Sequence, residues 1–168
     1  MAANLEQASR LQTAFTLHRA ALYAYARRRT STVEDAEEAV SATYLTAWRR
    51  VDVMPTEPET RRWLYAVIRR SLANQRRANC RFHTLQSRLG RQRESATLDE
   101  SDSPVNAALA QLRPGDREVL RLSSWERLSY VEASEILHCS PNAYAIRLHR
   151  ARIALRVALT DPAANLTQ

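Results

Sequence analysis

Apolar residues in this chain recur at steps of three and four, and no convincing stretch shows the two-residue alternation of a half-buried strand. Leu11, Phe15, Leu22 and Tyr25 keep helical spacing within a helix predicted over about Leu5–Arg29. A second helix is predicted from about Thr32, where Val33, Ala36, Val40, Tyr44, Ala47, Trp48 and Val51 step by three or four. Pro55 and Pro58 in "DVMPTEPET" (52–60) break the pattern, because proline lacks the backbone donor and crowds the preceding turn. A third helix is predicted over about Glu59–Asn79, with Leu64, Val67, Ile68 and Ser71 on its buried side. Four shorter helices follow, over about Val105–Leu112, Gly115–Trp125, Tyr130–Leu137 and Pro141–Leu159. The fold class expected is all-α.

Between the two helical groups, the segment from about Phe82 to Pro104 changes character. It ends in "RESATLDESDSP", which is polar, acidic and has little to bury, so a flexible linker is expected. Residues 1–81 carry 14 Arg against 8 acids, residues 82–104 carry 3 against 4, and residues 105–168 carry 8 against 6. The simplest parse is two small basic helical domains, 1–81 and 105–160, joined by an acidic tether at 82–104 and followed by a tail at 161–168. A length of 168 residues suits that division.

The net charge is +7, and all 25 basic residues are arginine. Arginine presents a planar fork of donors that matches phosphate and guanine edges, and a strongly basic balance points to a polyanionic partner. With only two glycines, Gly90 and Gly115, a glycine-rich phosphate loop cannot form. No nucleophile elbow, HExxH pair or paired-carboxylate cleft is visible, so no enzyme active site is expected. Cys80 and Cys139 lie far apart, and His18, His83, His138 and His149 are scattered without ligand spacing. Neither a metal nor another cofactor is expected. No apolar run approaches membrane-span length, and "MAANLEQASR" lacks a signal-peptide core. The expected home is a reducing cytoplasm.

The stretch "LSYVEASEILHCSPNAYAIRLHRAR" concentrates local signals. Ser129 followed by Glu132 fits a capping box, and Ser140 followed by Pro141 fits an N-cap with proline at the first helical position. Two helices joined by so short a turn form a helix-turn-helix, whose second helix enters the major groove. At roughly 100° per residue, Tyr144, Leu148, Ala151 and Leu155 fall on one apolar stripe. Asn142, Ala145, Ile146 and His149 fall opposite it. Arg147 and Arg150 flank that face on one side, Arg152 and Arg156 on the other. A probing face bracketed by cations suits a groove with phosphates on both rims.

The third helix carries a second basic stripe. Arg62, Arg69 and Arg76 recur every seven residues, flanked by Arg70 and Arg77, with Trp63 and Tyr65 near the borders. Arginines interleaved with aromatics suit a nucleic-acid surface on which unpaired bases stack. Trp63 fits a core position equally well. The second helix begins with Glu34, Asp35, Glu37 and Glu38. The helix dipole accounts for one or two acids in that place, and a basic protein partner would account for the rest.

Together these stretches resemble the extracytoplasmic-function (ECF) sigma factors of the sigma-70 family. "YARRRTSTVEDAEEAVSATYLTAWRRV" and "RRWLYAVIRRSLANQRR" are similar to region 2 of that family. "LAQLRPGDREVLRLSSWERLSYVEASEILHCSPNAYAIRLHRAR" is similar to region 4. The resemblance implies a non-catalytic, dissociable subunit that directs bacterial RNA polymerase to promoters. It implies that Asn142, Ala145, Ile146, Arg147, His149, Arg150 and Arg152 meet the −35 element. It further implies that the 52–63 loop, with Arg62, Trp63, Arg69, Arg70, Arg76 and Arg77, captures and helps melt the −10 element. Asp35, Glu37, Glu38, Ser41, Tyr44, Leu45 and Trp48 would meet the β′ clamp of core polymerase, and region 4 its β flap. The linker would thread towards the polymerase channel, and an anti-sigma factor is a further implied partner. Residues 115–157 alone also fit a stand-alone helix-turn-helix regulator.

Four residues depart from the family pattern. Ser41 and Ala42 stand where Gln and an acid are usual, which bears on the strength of the clamp contact. His138 holds a turn position usually given to Gly; a left-handed conformation there would cost roughly 1 kcal/mol relative to Gly. Ala145 replaces a frequent basic residue on the base-reading face, which leaves Asn142 and His149 as its polar readers.

Overall fold

A computed structural model of the chain describes residues 2–88 and 103–160, with side chains over 5–81 and 103–160. Most of the linker expected at 82–104, and the tail at 161–168, lie outside the described residues. The described residues contain seven α-helices and no strand, arranged in two compact units. None of the helices is long and apolar enough to cross a membrane.

The N-terminal unit packs α1 (Ala2–Arg27), α2 (Val33–Arg49) and α3 (Glu59–Arg88) against one another. From α1 it buries Leu11, Phe15, Leu22 and Tyr25, the stripe that the spacing predicts. From α3 it buries Leu64, Val67, Ile68 and Leu72; Ser71 is only half-buried. Each fully buried leucine of this kind contributes about 2 kcal/mol.

The inward stripe of α2 differs from the large apolar series in the sequence. Ala36, Ala39, Thr43 and Ala47 are buried, whereas Val33, Tyr44 and Trp48 are exposed. Small side chains let helices approach closely, so the small stripe faces the bundle and the large residues turn outward. Thr43 is tolerated inside because its hydroxyl donates to the Ala39 carbonyl at 2.7 Å. The second correction is at the end of α3, which runs to Arg88, past the expected stop at Asn79. The apolar stripe fades there, but no Gly or Pro occurs before Gly90 to break the helix.

Helices α2 and α3 are joined by a single 3₁₀ turn, Val51–Val53, and an extended stretch with a cis Glu57–Pro58 peptide. Met54 is buried beneath this loop, and its carbonyl accepts from Arg10 Nη2 at 2.9 Å.

The C-terminal unit contains α4 (Pro104–Gln111), α5 (Pro114–Ser124), α6 (Tyr130–Ile136) and α7 (Pro141–Thr160). Helix α7 packs on the other three. Tyr144, Leu148 and Ala151 are fully buried, as the wheel predicts, while Leu155 is only half-buried as the helix leaves the unit's core. Proline opens α4, α5 and α7, where its missing donor costs nothing.

Candidate nucleic-acid interface

The turn that aims α7 is built from caps on both sides. Ser129 accepts from the Glu132 backbone at 3.2 Å, and the Glu132 carboxylate accepts from the Ser129 backbone at 2.8 Å, completing the expected capping box. Helix α6 ends with the Cys139 N–H donating to the Ser134 carbonyl at 2.9 Å and the His138 N–H to the Glu135 carbonyl at 3.1 Å. That double closure requires a left-handed residue between the helices, and His138 takes it with φ of 53°. Ser140 then caps α7 by accepting from the Ala143 N–H at 3.1 Å.

Tyr144 anchors α7 from below. Its hydroxyl donates to the Val119 carbonyl at 3.2 Å, and its ring meets Tyr130 edge-on at 5.6 Å. Burial, reinforced by Tyr130, pushes its pKa up to about 12, so it stays a neutral donor. The opposite face of the helix is open. Asn142, Ile146, Arg147, His149, Arg150, Arg152 and Arg156 are exposed, and Ala145 is half-buried. Among the described residues, Arg147, His149 and Arg150 make no side-chain hydrogen bond or ion pair. Their donors are available to a ligand.

On α3, Arg70, Arg76 and Arg77 are exposed, and Arg62, Trp63 and Arg69 are half-buried. Arg77 Nη2 also donates to Asn74 Oδ1 at 2.6 Å. Tyr65 does not join this surface: it is 2% exposed and packs on Tyr25 at a ring separation of 5.2 Å. Of the two aromatics read beside the stripe, Trp63 alone keeps partial access.

The outer face of α2 presents Glu37, Glu38, Ser41, Tyr44, Leu45 and Trp48. Leu45 is 57% and Trp48 51% exposed, and Tyr44 leans on Phe15 with ring centroids 3.5 Å apart. Beside this face lies an open groove of about 1010 Å³, walled by Arg19 and Tyr23 of α1 and by Glu37, Val40 and Tyr44 of α2. Asp35 and Glu38 have an internal role that the sequence does not reveal. Gln75 Nε2 on α3 donates to the Asp35 carbonyl, the Asp35 carboxylate and the Glu38 carboxylate at 3.1, 3.2 and 2.8 Å. These two acids therefore tie α2 to α3; Asp35 is half-buried, while Glu38 stays exposed like Glu34 and Glu37.

Sequence reasoning also missed the contact between His18 and Glu57, at 2.7 Å. A signal existed: His18 follows Leu11 by seven residues and precedes Leu22 by four, which puts it on the buried stripe of α1.

Residues 14–82 match the family description of sigma-70 region 2, and residues 104–155 match that of sigma-70 region 4. The chain is similar to ECF RNA polymerase sigma factor SigL of Mycobacterium tuberculosis, with 31% identity over 166 residues and 92% of each chain covered. It is 25% identical over 145 residues to RNA polymerase sigma factor YlaC of Bacillus subtilis, covering 81% of this chain and 84% of that one. Among solved structures it resembles sigma factor RpoE, in complex with anti-sigma factor NepR, from Bartonella quintana. That match has a TM-score of 0.71 and 27% identity, covering 89% of this chain and 96% of the other. Two region matches in tandem, over a whole-length relative and a shared helical fold, place this chain in the sigma-70 family as an ECF RNA polymerase sigma factor.

Proposed function

We propose that each of the two units performs a separate part of promoter recognition for bacterial RNA polymerase, with no catalysis of their own. The open face of α7 reads the −35 element. Its arginines hold the phosphates on either rim, and Asn142, Ile146 and His149 meet base edges. The arginine stripe of α3, with Trp63 and the 51–60 loop, receives the −10 element as it opens. The outer face of α2 docks on core polymerase, with Leu45 and Trp48 as its apolar centre and Glu37 and Glu38 at its rim.

The observation that carries this reading is the inversion on α2. A helix that buries alanines and exposes Leu45 and Trp48 is built to cover those residues with another protein. A DNA-binding regulator that works alone has no use for that surface. The groove beside α2 also offers a place for an anti-sigma partner, as RpoE of Bartonella quintana has in NepR. The test is binding to duplex promoter DNA with and without core polymerase. The proposal requires tight, promoter-specific binding only when core is present. Equal binding without core would favour a stand-alone regulator.

A further inference from the structure

The loop between α2 and α3 is held to α1 at both of its ends. Gln7 Nε2 donates to Asp52, and Arg10 Nη2 donates to the Met54 carbonyl at 2.9 Å. At the far end, His18 Nε2 lies 2.7 Å from Glu57 Oε1. At roughly 100° per residue, Gln7, Arg10 and His18 fall on one stripe of α1. Between these tethers sits a hollow of about 260 Å³, bounded by Thr13 and Leu17 of α1 and by Met54 and Thr56 of the loop.

The two partners in the far tether are unequal. The His18 side chain is 11% exposed, whereas that of Glu57 is 46% exposed. His18 is thus fixed in the bundle, and Glu57 belongs to the loop. A buried imidazole nitrogen without a partner carries a desolvation penalty, so the pair biases the loop towards its docked position. Thr60, in the first turn of α3, donates to the Pro55 carbonyl at 2.8 Å; this ties the loop to α3 and does not attach it to α1.

We propose that His18 is a positioning residue for the −10 element: by holding Glu57, it sets the place of the 55–58 segment against DNA. This rests on the proposed role of the loop at the −10 element. His18 touches no DNA itself. It acts through Glu57, much as a hydrogen-bonded support orients a contacting group.

The test uses the full-length protein with core polymerase and a promoter library randomised across the −10 element. His18→Leu keeps bulk and removes the ring nitrogen. His18→Gln keeps an N–H at about the same reach. Glu57→Ala removes the loop partner, and its exposed position makes misfolding no obstacle. Core affinity and −35 preference serve as controls. His18→Leu and Glu57→Ala should both flatten −10 preference and slow open-complex formation about tenfold, with both controls unchanged. His18→Gln should recover most of the preference. Thr56→Ala, on the loop itself, separates the two ideas. If Thr56→Ala shifts −10 preference while Glu57→Ala does not, the loop reads DNA and the latch is wrong. If neither shifts it, the −10 role of the loop falls and the latch falls with it. A loss in His18→Leu that His18→Gln does not recover also overturns the proposal.

Discussion

Replacing Trp48 with alanine should uncouple this protein from core polymerase without unfolding it. Trp48 is 51% exposed on the outer face of α2, while the neighbouring Thr43 and Ala47 make the inward contacts. A tryptophan presents at most about 250 Å², so about 125 Å² of Trp48 remains open to a partner. Covering that area at about 25 cal/mol per Å² yields about 3 kcal/mol. Ordering the side chain offsets about 1 kcal/mol of it. The net loss expected on Trp48→Ala is about 2 kcal/mol, or roughly 30-fold in affinity for core. Helix α2 itself should not suffer, because alanine is the best helix former. Competition of labelled and unlabelled protein for core polymerase measures the loss, and circular dichroism checks the fold. A folded Trp48→Ala protein that binds core within about twofold of the parent, well under the roughly 30-fold expected, would refute the assignment of this face.

Four further outcomes follow from the C-terminal unit. Arg150→Ala should weaken binding of the holoenzyme to all −35 sequences alike and lower the slope of log affinity against log salt by about one, measured by titration in salt. His149→Ala should instead change the preferred −35 sequence, at a cost of about 1–3 kcal/mol on the best site; equal loss on matched and scrambled elements would remove it from base reading. His138→Gly should stabilise the α6–α7 turn by about 1 kcal/mol, because glycine adopts the left-handed conformation without strain; hydrogen exchange in that turn should slow about fivefold. Tyr144 has a folded pKa of about 12 against an ordinary 10.0, so its contribution is full below pH 10.0 and is lost as the pH rises towards 12. Tyr144→Phe should therefore flatten the alkaline loss of stability in that unit, followed by alkaline titration of its unfolding.

What the sequence made legible was local. The stripe Leu11, Phe15, Leu22, Tyr25 and the stripe Tyr144, Leu148, Ala151 are buried as their spacing requires, since a regular helix turns such residues to one side. The caps at Ser129 and Ser140 could be read because each closes within three residues. The face of α2 was harder. Its large apolar residues step like a core, but a helix packed through Ala36, Ala39, Thr43 and Ala47 reverses the usual assignment. Periodicity alone cannot rank two competing stripes, and the resemblance to region 2 placed Leu45 and Trp48 at a partner surface where spacing did not. The contacts of Gln75 with Asp35 and of His18 with Glu57 join residues 40 and 39 positions apart. Such pairs depend on how helices dock, which no local pattern encodes. Tyr65 was misplaced for a related reason: its ring partner, Tyr25, sits on another helix.

The central claim is that this chain confers promoter choice on RNA polymerase. Reconstituted transcription tests it most directly: core polymerase from the same host, with and without this protein, on a library of that host's promoter regions, with transcript starts mapped. A small set of starts should appear only with the protein, sharing one −35 sequence and one −10 sequence at a constant spacing. Starts that are the same with and without it, although the protein is folded and free of any inhibitor, would contradict the claim.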